Sequence, residues 1–137
     1  MKTGARERTL DMHLKWGRLV SGVIVAELVP ILLLVALVAL FGPSEQSQAE
    51  AFAARLGRWV GPIGGITMTF LAALWVARPM RGFGLQHGVV LGCLVAVLDI
   101  SLLFAAATAF EWIFAVSNVG RILAGTAGGA LADRSPR

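Results

Sequence analysis

Charge is scarce in this sequence. Only 15% of its 137 residues are Asp, Glu, Lys or Arg, against 57% hydrophobic, too few to cover a soluble surface of this size. Cysteine is nearly absent. Cys93 is the single one, which excludes an internal disulfide and a cysteine-built metal site. The two histidines, His13 and His87, lie far apart in the chain and make neither a haem nor a metal site. Ten-residue segments of alternating polarity are missing, and open sheet edges cannot face lipid, so a sheet is disfavoured. "GFGLQHG" from Gly82 is glycine-rich, but no strand precedes it and no P-loop lysine follows, which argues against a nucleotide site. No nucleophile has a base within reach at matching depth, so no catalytic residue is assigned and an enzyme is not expected.

What is present is long apolar sequence, with a mean hydropathy of +0.77. A helix needs about 20 apolar residues to cross the bilayer core. Four segments approach this: Leu19–Phe41, Val60–Ala77, Gly88–Thr108 and Ile113–Ala132. The expected fold is therefore all-α, a single transmembrane domain built as a four-helix bundle. The basic start followed by an apolar run resembles a signal peptide. That run is too long for a signal core and has no small-residue cleavage pattern after it, so it reads as a retained span.

The net charge is +4, but the positives sit at the ends of the apolar runs. They are topology signals and not a nucleic-acid footprint. Lys2, Arg6, Arg8, Lys15, Arg18, Arg78, Arg81, Arg134 and Arg137 fall on one side, and Arg55 and Arg58 on the other. Both termini are accordingly expected in the cytoplasm. Trp16, Trp59, Trp75 and Trp112 fall near span ends, where indole prefers the interface. The first external loop offers Ser47 and Glu50 as a capping box, then Phe52, Leu56 and Trp59 on one face. This predicts a short helix lying on the outer membrane surface. "VGPIGGITMT" and "VGRILAGTAG" share a faint pattern that would relate the second helix to the fourth.

Three charges lie within the apolar runs: Glu27, Asp99 and Arg121. Membrane helices pack through small residues. Gly88, Gly92, Ala96 and Asp99 form one stripe of the third helix; Ser117, Arg121, Gly125 and Gly128 form one of the fourth; Gly61 and Gly65 pair on the second. At about 1.5 Å per residue, Arg121 sits at an intermediate depth from which its side chain reaches either carboxylate. An isolated charge at the bilayer centre costs several kcal/mol, so pairing is expected. Two carboxylates and one guanidinium leave one negative charge to be balanced by a proton or a cation.

Glu27 has two readings. Its stripe, Val20, Ile24, Glu27 and Ile31, is bulky. Pro30 is a helix break that frees the carbonyl of Ala26 beside the carboxylate, a plausible proton or cation site. The other reading is that Glu27 completes an ion cluster. Of the secondary candidates, His87 opens the third helix beside Arg78 and Arg81, as a proton-entry group, a headgroup contact or a merely solvated ring. Ser117 and Asn118 are expected to hydrogen-bond across helices.

"SGVIVAELV" (Ser21–Val29) resembles the first helix of small multidrug resistance transporters. That resemblance implies a membrane-embedded glutamate, here Glu27, binding protons and cationic drugs in turn. The chain departs from that pattern in its longer first loop, in Asp99 and Arg121, and in its one-sided loop charge. "GGITMTFLAALWVARPMRGFGLQHGVVLGCLVAVL" with "ILAGTAGGAL" is similar to small four-helix bacterial membrane proteins of unknown function, which implies the fold and no activity. Two functions are expected from these residues. One is a structural or accessory subunit of a membrane complex, in a bacterial inner membrane, with lipid and a second copy or another membrane protein as partners. The alternative is a small proton-coupled transporter with Glu27 as the exchanging site. No cofactor is expected.

Overall fold

The computed structural model describes residues 14–80 and 82–134. Lys2, Arg6, Arg8, His13, Arg81 and Arg137, which enter the topology argument or the candidate list, lie outside them. Among the described residues the chain forms four α-helices and no strand: α1 (Trp16–Phe41), α2 (Gln46–Ala77), α3 (Gly84–Ala105) and α4 (Trp112–Arg134). Helix is the default here because each run is rich in Leu, Ala and Val and a helix satisfies its own backbone groups without water.

Three helices, α1, α2 and α3, are long and apolar enough to cross a membrane. The four-span expectation is met in helix number, but α4 falls short of the apolar standard. Ser117, Asn118, Arg121 and Asp133 dilute it, together with its glycines and alanines. α4 compensates by position, packing most extensively against α3 and then α2. The surface is apolar, with Leu32, Val35, Ile63, Val97 and Leu123 exposed, and the interior combines a core of Leu19, Ala26, Val76, Leu91 and Val95 with buried Glu27, Thr69, His87, Ser117, Asn118 and Arg121. Large apolar side chains facing outward suit a helical bundle surrounded by lipid.

The separate surface helix expected in the first loop does not exist as its own element. Gln46–Trp59 is the first part of α2, which runs unbroken for 32 residues. No residue between 46 and 61 forces a break, and Pro62 is accommodated within the helix. At about 1.5 Å per residue this helix is roughly 48 Å long, beyond the roughly 30 Å of a hydrocarbon core. Its charged residues, Glu50, Arg55 and Arg58, all fall in the half before Trp59, so that half is the part suited to project from the membrane.

α1 is likewise not broken at Pro30, which lies buried inside it. Pro30 removes one hydrogen bond, yet such helices persist where a neighbour packs on the site. The neighbour here is Gly64: a Cβ added there would lie 3.1 Å from Pro30 Cβ.

The seam between α3 and α4 is built of glycine. A Cβ on Gly88 would meet the carbonyl of Gly125 and lie 2.9 Å from Gly129 Cα; one on Gly92 would lie 2.9 Å from Ile122 Cα. Backbones touch directly here, as in other small-xxx-small pairs. Gly125 and Gly129 face α3, whereas Gly128 faces α2, against Phe70 and Ala73. The stripe read through Gly128 therefore turns to a different partner. Gly61 has nothing within 4 Å of an added Cβ, so it does not belong to the packing pair expected with Gly65.

Two helix ends are fixed by specific contacts. At the start of α3, Asp133 of α4 accepts from the backbone N–H groups of Gly82, Gly84 and Leu85 at 3.0, 3.0 and 3.1 Å. These are donors that a helix N-terminus otherwise leaves unpaired. At the end of α3, the N–H of Thr108 bonds Leu103 and that of Ala107 bonds Phe104, the double bond of a Schellman ending. Ala107 occupies its left-handed position, at φ 50°.

Candidate functional site

The three charges within the apolar runs meet. Arg121 of α4 extends from the α3–α4 seam and divides its guanidinium between two helices. Nη1 donates to Glu27 Oε1 of α1, and Nη2 pairs with Asp99 Oδ1 of α3 at 3.1 Å. Glu27 and Arg121 are 6% and 3% exposed. Arg121 thus serves both carboxylates at once, where its depth alone permits either.

The sequence reason lies partly on α2. A Cβ on Gly65 would lie 2.7 Å from Arg121 Cζ and 2.8 Å from Nε. Gly65 leaves the guanidinium room to pass α2 and reach α1. No Cα of α1 comes within 8 Å of one in α4 among the described residues, so this ion pair connects two helices whose backbones do not touch. Thr69, one turn further along α2, is buried with its hydroxyl donating to the Gly65 carbonyl at 2.6 Å.

The face assigned to Glu27 from its bulky stripe is corrected. Val20, Ile24 and Ile31 are 50%, 46% and 44% exposed, whereas Glu27 is buried together with Leu19, Gly22, Ala26 and Pro30. Gly22, Ala26 and Pro30 form a small-residue row at four-residue spacing, directly beside Glu27. That row was the available signal for the packed side of α1.

Asn118 extends the cluster. Its Nδ2 donates to Asp99 Oδ2 at 2.8 Å and to the Phe114 carbonyl at 2.9 Å. Two acceptors at one end identify that end as the amide nitrogen. Asp99 therefore has one oxygen on Arg121 and the other on Asn118. Ser117, its neighbour, is buried. Asn118 Oδ1 and Arg121 Nε are buried without hydrogen-bond partners.

His87 is neither solvated nor open to headgroups. It is 4% exposed, its Nδ1 lies 2.8 Å from the Phe83 carbonyl, and Nε2 has no partner. Because a carbonyl only accepts, Nδ1 carries the proton of that contact. Two contacts that the sequence did not single out close the ends of the bundle. Arg18 lies over the Trp75 ring at 4.2 Å and donates to the Trp75 carbonyl at 2.8 Å, joining α1 to the end of α2. Arg58 pairs with Glu111 at 3.1 Å across the opposite end, an exposed pair worth at most about 1 kcal/mol.

Among the described residues no group of three or more His, Cys, Asp or Glu side chains is placed to hold a metal ion. Comparison of the chain with protein families, curated proteins and solved structures finds no match.

Proposed function

We propose that this chain is a small integral membrane protein whose buried charges hold a helical scaffold, acting as a structural or accessory subunit of a membrane complex. The observation that carries this reading is that one guanidinium is committed to both Glu27 and Asp99 at a buried position. A carboxylate engaged in this way is a tie between helices before it is an exchange site. Breaking a buried pair by removing one partner is strongly destabilising, whereas its intact contribution beyond an apolar core is small. Such a cluster specifies which helices associate, a common use of intramembrane charge.

The proposed setting is a bacterial inner membrane with all four helices across it and both termini in the cytoplasm, supported by the one-sided loop arginines and lysines. The second resemblance, to small four-helix bacterial membrane proteins, fits this arrangement. The transporter reading rests on "SGVIVAELV" and would require a route from water to Glu27. Reconstitution separates the two. Proteoliposomes holding the wild type and Glu27→Gln should show the same proton leak under a pH gradient, and the purified variant should melt at a lower temperature. Proton flux that depends on Glu27, with unchanged melting, would overturn the scaffold reading.

A further inference from the structure

One end of the bundle carries cations without matching acids. Lys15 precedes α1, Arg18 lies in its first turn, and Arg78 caps the end of α2. Among the described residues the one acid at this end is Asp133, and it is occupied by three backbone N–H groups at the start of α3. Lys15 and Arg78 are exposed, and neither side chain has an ion-pair partner among the described residues.

Arg18 is the fixed member of this set. Its guanidinium lies 4.2 Å over the Trp75 ring, and Nη2 donates at 2.8 Å to the Trp75 carbonyl. That carbonyl is among the last of α2, which a helix leaves without internal partners. Nη1 makes no hydrogen bond, and it is Nε, not Nη1, that is sealed from the surface. Lys15 stands three residues outward from Arg18, and Arg78 three residues outward from Trp75. At that spacing both flank the Arg18–Trp75 contact on its outer side.

Inward from the same contact the surface turns apolar. Leu71, four residues inward from Trp75, is 47% exposed, and Val25, seven inward from Arg18, is 45% exposed. Trp75 itself is 47% exposed, and an exposed indole prefers the headgroup level of a bilayer. Cations, then indole, then aliphatic side chains follow the layering of a phospholipid: phosphate, glycerol, acyl chain. Basic groups between helices at this level attract anionic headgroups.

We propose that the corner between the start of α1 and the end of α2 is a binding site for one anionic phospholipid. Its phosphate bridges Arg18 Nη1 and Arg78, Lys15 adds attraction, and its acyl chains lie along Leu71 and Val25. A zwitterionic lipid brings its own cation and gains less, and a free phosphate ester lacks the apolar contact. The site needs the chain to lie in a membrane, but neither the Glu27–Arg121 tie nor a particular orientation of the termini.

The test follows the melting temperature of the full chain in dodecyl maltoside. Dihexanoyl phosphatidylglycerol, dihexanoyl phosphatidylcholine and glycerol 3-phosphate are titrated separately. The phosphatidylglycerol should raise the melting temperature saturably, and the other two should not. Arg78→Gln should weaken phosphatidylglycerol binding about fivefold, the share of one cation at a lipid surface, while the lipid-free protein melts as the wild type does. Arg18→Gln should weaken it further but also removes the Trp75 contact, so Arg78→Gln is the deciding variant. Arg55→Gln, which removes the same charge from the opposite half of α2, should leave binding unchanged. No saturable shift, an equal shift with phosphatidylcholine or glycerol 3-phosphate, or equal weakening by Arg55→Gln and Arg78→Gln would each overturn the proposal.

Discussion

Gly65 shows how much the ion cluster depends on an absence. A methyl group there would lie 2.7 Å from Arg121 Cζ, closer than real side-chain contacts. The guanidinium cannot yield without leaving Glu27 or Asp99. Gly65→Ala should therefore destabilise the bundle by up to about 3–5 kcal/mol, the cost of a broken buried pair, although alanine is the better helix former. Its cost should shrink sharply in an Arg121→Gln background, because a shorter neutral side chain no longer needs the space. Chemical unfolding in detergent of the two single variants and the double variant measures this, and equal cost in both backgrounds would disconnect Gly65 from the cluster. At this scale the sequence was partly legible. Charge in an apolar run is conspicuous, and the depths of Glu27, Asp99 and Arg121 already allowed them to meet. That Arg121 takes both carboxylates was not legible, because depth fixes height along a helix and not which neighbour lies across from it. Around Glu27 the bulky Ile24 and Ile31 lie on the exposed side of α1, and Gly22, Ala26 and Pro30 lie on the packed side.

Both ends of α3 are held by specific contacts. Asp133 accepts three backbone N–H groups at the start of α3. Asp133→Ala should cost about 1–2 kcal/mol, the range for losing a cap, and hydrogen exchange should accelerate at Gly84 and Leu85 before it does deeper in α3. Exchange that stays unchanged there would show that the cap is immaterial. At the other end, Ala107 holds a left-handed conformation at φ 50°, where a Cβ is strained and glycine is not. Ala107→Gly should raise stability by up to about 1 kcal/mol with the Schellman bonds retained. A fall in stability would mean that the Ala107 methyl group is needed where it is. Neither end was visible in advance. The α3 cap comes from a residue 49 positions away from Gly84, and the α3 stop carries alanine where glycine is the usual marker. The boundary of α2 failed for a related reason: an amphipathic start and an apolar continuation read as two elements, but no breaker separates them.

For the molecule as a whole, the helix number and the apolar exterior were legible from run length and composition, since lipid leaves few alternatives. The order of packing was not. α4 is the least apolar of the four helices by composition, yet its packing against α3 and against α2 is the most extensive of any helix pair. α1 joins α4 through side chains alone. Orientation is a prediction at this scale: with both termini cytoplasmic, reporter fusions after Arg137 should be active inside and one near Gln48 outside, and an external C-terminus would refute it. The central claim is that Glu27 and Arg121 tie α1 to α4. Its most direct test is a double-mutant cycle of Glu27→Gln and Arg121→Gln, read by reversible unfolding of the full chain in detergent. Each single change should cost about 3–5 kcal/mol, and the double change clearly less than their sum, because the second substitution removes the charge that the first left stranded. Costs that simply add would contradict the account.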